Sequence, residues 1–490
     1  MSVLKRQVVK DTLMYTVANY IAMVIGILVG VATKAILGTV GAGYWAVIKV
    51  FTSYGEYSDL GTRNAMIREI PRVIGAGKHQ EALKTQNSAY AFTLLASFFS
   101  SVVIAVIAWT TQDPVLRKGL LICTALVVAT QLYNFSLTLL RTLKKVGALS
   151  IVIVVNMVLV GILSIAGAWW KGVLGMAIGV SIATFISAWN AYTFGKMDFR
   201  VRWDSAEIGR LIRIGFPMVI ISYALVTFLS LDTLMIGKMI GIEAVGLYTI
   251  GLMSVQQIGS LGRFSQIILL PHIQERYGQT GSLSHTAAMM IRATRVLAYL
   301  VPFLIALVVF FVPVLVYYFL PKFTGGIASM KILVMGYYFV AVNELSASAA
   351  FTADKQKQLI PFLGGVIAVA ATLNFVFIRL GFGIQGVAAA TSISYFLCFV
   401  FVFSFAFSQL IPLSQIGKIV SEILILFAYF CICVWVVDAF PLPMLSVLWS
   451  ACLKFAAFCL FFFPAFYRME KEEKLLGILK NLLFKPAVAA

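Results

Sequence analysis

Between Tyr44 and Ile70 the sequence sets Lys49, Glu56, Asp59 and Arg63 in a stretch that is otherwise apolar and of membrane length. In a continuous helix, at 100° per residue, these four would share an arc of about 120° with Thr52 and Ser53. A charge at mid-bilayer costs at least about 2.5–3.5 kcal/mol on insertion scales, so such residues normally face a watery cavity or a partner. The chemistry on offer is recognition of an anion by Lys49 and Arg63, with the carboxylates tuning the site or carrying a coupling cation. Lys34, near the end of the preceding apolar stretch, would stand beside Lys49 across a short hairpin. The competing account is ion pairing: Asp59 and Arg63 are four residues apart, a spacing that pairs along a helix.

Other charges in apolar stretches extend the set. Arg263 repeats Arg63 at an offset of 200, and Asp232 and Glu344 add carboxylates in the second half. Candidate cavity residues are thus Lys34, Lys49, Glu56, Asp59, Arg63 and Arg263; candidate ion-coupling residues are Glu56, Asp59, Asp232 and Glu344. Asp438 and Lys454 lie outside the repeat described below and read as peripheral. All six cysteines sit in apolar stretches without metal or disulfide spacing, and His79, His272 and His285 fall at or near loops. Neither a metal site nor a cofactor site is expected, beyond coupling to H+ or Na+. Gly381-Phe-Gly383-Ile-Gln-Gly386 matches a dinucleotide fingerprint but follows no strand, and Gly75-Ala-Gly77-Lys78 lacks the first glycine of a phosphate loop. With no nucleophile–base set either, the sequence argues against an enzyme.

The elements that must position these residues are membrane helices. The chain has 490 residues, 61% hydrophobic and 12% charged. Fourteen apolar stretches can each cross a core of about 30 Å: 12–36, 43–66, 88–109, 116–140, 149–170, 173–195, 214–237, 246–271, 296–319, 327–351, 360–379, 383–407, 418–438 and 445–467. Very tight turns join the fifth to the sixth and the eleventh to the twelfth. A net charge of +19 could suggest nucleic acid, but most of the Lys and Arg fall in alternate loops, among them Arg68, Arg72, Lys84, Arg141, Arg200, Arg210 and Arg468. That is the positive-inside pattern; it places both termini in the cytoplasm and the basic excess at an anionic leaflet, with no nucleic-acid partner. Residues 203–213 read either as a basic amphipathic helix on the inner surface or as a flexible linker.

The chain also echoes itself. LGTVGAGYW…SDLGTR (37–63) returns as MIGIEAVGLY…GSLGRF (239–264), and GVLGMAIGVSIAT (172–184) as GIQGVAAATSIS (383–394). Six spans separate the repeat starts, so the copies run parallel about an axis along the membrane normal, a plan common in transporters. The expected fold is all-α and polytopic, with two six-helix lobes related by a pseudo-two-fold: 1–200 (spans 1–6) and 201–410 (spans 7–12). Residues 411–490 add an appended helix pair and a basic tail.

LGTVGAGYW, YSDLGTRNAMIREIPR, NSAYAF and RIGFPMVI…DTLMIGKMIGIEAVGLY together resemble the polysaccharide transporter family. These are the lipid-linked oligosaccharide, or O-antigen, flippases of the multidrug/oligosaccharidyl-lipid/polysaccharide exporter superfamily. The resemblance covers most of residues 10–405. It implies two lobes around a V-shaped cavity, alternating access, and movement of an undecaprenyl-pyrophosphate-linked oligosaccharide, such as the O-antigen unit of lipopolysaccharide, across the cell inner membrane. Membrane lipids and polysaccharide polymerase machinery would be its partners. Glu56 and Asp59 depart from the family's cationic cavity. Within the superfamily, a lipid II flippase and a multidrug/cation antiporter are the alternative functions. Arg63→Ala and Lys49→Ala are expected to stop export without unfolding the protein.

Overall fold

The computed structural model describes residues 3–195, 197, 200–259, 283–352, 356–408, 410–440 and 446–473. Among the described residues the regular elements are all helices, joined by turns, and there is no strand. In chain order the helices are α1 (Val3–Gly55), α2 (Thr62–Gly75), α3 (His79–Thr110), α4 (Pro114–Thr142), α5 (Val146–Phe194) and α6 (Ser205–Met239). Next comes α7, described over 242–259. Then follow α8 (Leu283–Phe319), α9 (Ile327–Thr352), α10 (Gln356–Arg379), α11 (Gly383–Ser408), α12 (Leu413–Ala439) and α13 (Val447–Glu473).

Among the described residues, eleven helices are long and apolar enough to cross a membrane, and two of them, Met14–Gly55 and Val146–Phe194, have double length. The chain is therefore a multi-pass membrane protein. The 49 residues of α5 would span roughly 74 Å if straight, more than two bilayer cores. It breaks at Lys171 and Gly172 (φ 59). A Cβ on Gly179 would lie 2.1 Å from the carbonyl oxygen of Leu163, and one on Gly167 2.2 Å from that of Gly175. Residues 16 apart in one straight helix would be about 24 Å apart, so the halves fold back antiparallel and their glycines let the backbones touch. The 53-residue α1 breaks likewise at Gly38 (φ 67). Of the expected eighth span, 246–271, only the first part lies among the described residues. Exposed Trp169 and Trp170 immediately precede the Gly172 turn and exposed Trp109 lies at the end of α3, helix-end positions that suit an interfacial aromatic belt.

Two compact units form, Met1–Gly246 and Leu247–Ala490. This division by packing falls later than the 200/201 limit drawn from the repeat, because α6 packs on α1, α2 and α3. In the first unit α2 is a surface-type amphipathic helix: Ala65, Met66, Ile70 and Val73, at helical spacing, bury against Phe135, Leu139, Leu140 and Leu211. Residues 205–213 are the helical start of α6, not a flexible linker. Arg210 bridges Glu69 and Glu207, each at 2.7 Å, the Thr85 hydroxyl donates to Glu207 at 2.6 Å, and Lys84 pairs with Asp204 at 2.8 Å. The Lys84 ammonium, with the Glu207 N–H, holds the Asp204 carboxyl below its ordinary 3.8. A depressed carboxyl stabilises above its unfolded value and loses that contribution as it protonates. Protection factors of the amides at 204–210, exchange corrected for its intrinsic pH dependence, should accordingly be high at neutral pH and fall below about pH 4; unchanged protection factors at acid pH would contradict this.

Two copies of the repeated glycine motif meet inside this unit. Gly38 (φ 67) and Gly241 (φ 135) occupy equivalent turns. A Cβ on Gly43 would meet the Ile242 carbonyl oxygen at 2.0 Å, and one on Gly246 would meet that of Thr39 at 1.8 Å. Since 39 and 43 correspond to 242 and 246, each copy touches the other through the same positions, the reciprocity of a two-fold axis.

In the second unit, α9 lies between α8 and α11. Tyr338, Phe339, Phe399, Phe427, Phe430, Phe458 and Phe462 form its aromatic core. Asp438, expected to be peripheral, accepts from Lys331 at 2.5 Å and from Lys454 at 3.3 Å.

Candidate functional site: a broken helix carrying unpaired charges

The continuous helix expected across Tyr44–Ile70 does not form. α1 ends at Gly55, residues 56–61 are turn, and α2 starts at Thr62. Leu60 (φ 49) and Gly61 (φ 84) are both left-handed, a conformation glycine adopts without penalty. Gly61 has a second reason to be glycine: its Cβ would fall 2.4 Å from the backbone carbonyl of Gly215 on α6. The single arc of four charges is thus replaced by a turn that distributes them.

Backbone polar groups freed by a turn and shielded from water need partners. Here side chains supply them. The fully buried Gln131 of α4 donates from Nε2 to the Gly55 carbonyl and to Ser58 Oγ, both at 2.8 Å. Arg63 donates from Nη2 to the Glu56 carbonyl at 2.8 Å and from Nη1 to Gln131 Oε1 at 3.4 Å. Asp59, 2% exposed, accepts the Arg63 N–H at 3.2 Å and pairs with Arg63 Nε at 3.6 Å. Placed at the start of α2, its charge also suits the helix dipole. Arg63, Asp59 and Gln131 are therefore committed to holding the break. Sequence reasoning passed over Gln131, although an amide in the apolar stretch 116–140 was a visible signal.

What this leaves is more informative. Lys49 is exposed although Ile48 and Val50 beside it are buried, so it stands on the face of α1 turned away from the unit's core. Glu56 and Lys34 are half-buried. No hydrogen bond or salt bridge among the described residues reaches the Lys34 or Lys49 ammonium or the Glu56 carboxylate; the Ser53 hydroxyl donates only to the Lys49 backbone carbonyl, at 3.1 Å. The two ammonium groups lie within electrostatic range of each other, as do Lys49 and Glu56. The break also borders an apolar cavity of about 590 Å³, lined by Phe51, Tyr54, Leu60, Phe92, Phe99 and Tyr223 among others. Tyr54 packs on Tyr223 with ring centroids 6.3 Å apart and donates to Thr227 at 3.0 Å.

The remaining expected residues lie elsewhere. Asp232 is buried on α6, where it accepts the Thr233 N–H at 2.6 Å. Glu344 is half-buried on α9 in the second unit. Arg263 lies outside the described residues. Among the described residues, no group of three or more His, Cys, Asp or Glu could hold a metal ion.

Solved structures share this architecture. An inward-closed structure of the lipid II flippase MurJ matches with a TM-score of 0.62 at 14% identity, over 93% of this chain and 99% of that one. An inward-facing multidrug resistance MATE family transporter of the MOP superfamily matches with 0.58 at 16% identity, over 83% and 96%. A MATE protein in complex with MaL6 gives 0.60 at 14%, over 84% and 97%. At such identities the likeness defines the fold, which is the MATE/MurJ fold. No curated protein sequence matches the chain. The model of the polysaccharide biosynthesis protein family matches residues 8–271, more than half of the sequence, and the chain belongs to that family.

Proposed function

We propose that this protein is a flippase. Its cargo is an undecaprenyl-pyrophosphate-linked oligosaccharide, an O-antigen or other surface-polysaccharide repeat unit, moved from the inner to the outer leaflet by alternating access. The observation that carries the reading is the pair of ammonium groups, Lys34 and Lys49, without an ion pair among the described residues, with the Glu56 carboxylate near Lys49 beside the turn that ends the span Met14–Gly55. A glycan head needs a polar path through hydrocarbon, and its pyrophosphate needs cations, which Lys34 and Lys49 supply as point charges. Arg63 acts one step back by holding the turn. Family membership supports a glycan cargo, and the likeness to MurJ supports a lipid-linked one.

Glu56 is the carboxylate assigned to H+ or Na+ coupling, because Asp59 is already paired with Arg63. Transport of this kind makes and breaks no bond in the cargo, so the protein is not an enzyme. It works in the inner membrane with both termini cytoplasmic, passing its cargo to polymerase machinery on the far side.

The test is complementation of cells lacking the gene. A Lys34→Gln, Lys49→Gln double variant should reach wild-type membrane levels, because neither side chain holds the fold. Its surface glycan should fall about tenfold or more, the loss expected when hydrogen bonds to a charged group are removed. Wild-type glycan in that variant would overturn the reading. Rescue of peptidoglycan synthesis would favour a lipid II cargo, and cation-dependent efflux of hydrophobic cations would favour an antiporter.

A further inference from the structure

A groove of about 360 Å³ runs between α8, α12 and α13 of the second unit, remote in sequence from the residues described above. Each helix lines it in the same order. On α8 Arg295 is followed one turn on by Ala298 and Tyr299, and on α12 Glu422 is followed by Ile425, Leu426 and Tyr429. On the antiparallel α13, Arg468 is preceded one turn earlier by Pro464 and Ala465. All three charges thus collect at one end of the groove, and the wall one to two turns deeper is apolar apart from tyrosine hydroxyls. That polarity, a charged mouth over an apolar slot, is the shape of a lipid.

The charge at the mouth has a sign. Two guanidinium groups line it against one carboxylate. Arg295 Nη2 pairs with Glu422 Oε2 at 2.9 Å, but the Nε of the same guanidinium is buried with no hydrogen-bond partner among the described residues. A buried charged donor without an acceptor is costly, and phosphate oxygens are among the best acceptors for arginine. The same end carries exposed Lys418 on α12 and Lys471 on α13, against the half-buried Glu470 beside Lys471, so basic groups still outnumber acidic ones. Basic pockets between membrane helices on the cytoplasmic side hold anionic headgroups.

We propose that this groove holds one anionic phospholipid of the bilayer. Its phosphate sits on Arg295 and Arg468, and an acyl chain lies along Tyr299, Leu426 and Pro464. The proposal rests on the membrane assignment and is independent of the cargo proposed above.

The test uses the purified full chain in neutral detergent, with lipid retention read by native mass spectrometry. Phosphatidylglycerol should be retained over phosphatidylcholine, and Arg295→Gln with Arg468→Gln should lower that preference about tenfold or more. Glu422→Gln removes the competing acceptor and should hold phosphatidylglycerol as tightly or more tightly. If the double variant does not fold, Arg468→Gln alone, which leaves the Arg295–Glu422 pair intact, should still weaken retention. Equal retention of the two lipids would overturn the proposal. So would an unweakened double variant, or loss of lipid in Glu422→Gln, which would make these residues a structural ion pair. Displacement of phosphatidylglycerol by equimolar undecaprenyl phosphate would assign the groove to the carrier lipid and overturn it too.

Discussion

Replacing Arg63 by alanine should remove most of the folded protein from the membrane. The guanidinium is 12% exposed and serves the Asp59 carboxylate, the Glu56 carbonyl and Gln131 at once. Deleting it leaves a buried carboxylate without its partner, a loss worth about 3–5 kcal/mol when a buried pair is broken from one side. That is a large part of the total stability of most domains. Arg63→Lys should recover only part of it, because an ammonium cannot span the carboxylate and the carbonyl as the planar fork does. Thermal unfolding in detergent, with folded yield by size exclusion, measures this. Unchanged stability with lost export would instead make Arg63 a ligand, as the sequence alone expects.

A comparably large effect is expected from Gly61→Ala. The substitution forces an L side chain into φ 84 and drives its Cβ to 2.4 Å from the Gly215 backbone, which cannot rotate aside as a side chain could. Left-handed backbone alone costs roughly 1–2 kcal/mol, and overpacking adds about 1–3 kcal/mol. Gly215→Ala should behave alike, since its Cβ would meet the Gly61 carbonyl oxygen at 2.0 Å. Gly209→Ala, on the same α6 with open space around its Cβ, is the control and should stabilise by up to about 1 kcal/mol. Equal melting of all three would show that the turn does not need this close approach.

Apolar length and basic asymmetry make the helical, membrane-spanning class legible, because hydrocarbon thickness dictates both. The repeat is legible as well: Gly38 and Gly241, matched by the sequence rhyme, both take a positive φ. The charges on the second span were visible for their energetic cost, but their arrangement was not. Periodicity assumes an unbroken helix, and nothing local in Glu56-Tyr57-Ser58-Asp59-Leu60-Gly61 outweighs the surrounding apolar run. The break depends on partners remote in sequence, Gln131 on α4 and Gly215 on α6. The amphipathic start of α6 could be read from its pattern, whereas the pairing of Arg210 with Glu69 is tertiary and could not. The aromatic wall of Tyr54 and Tyr223 had no sequence signal distinct from ordinary packing.

The central claim is that Lys34 and Lys49 receive the anionic head of a lipid-linked glycan. Purified protein in liposomes, given an undecaprenyl-pyrophosphate oligosaccharide on the side it loads from, allows a direct measurement: the rate at which the glycan becomes reachable by a lectin on the other side. Wild type should expose the glycan far faster than protein-free liposomes. The Lys34→Gln, Lys49→Gln variant should fall close to the protein-free rate while melting like wild type. If that variant moves the glycan as fast as wild type, or if wild type moves it no faster than bare lipid, the account is contradicted.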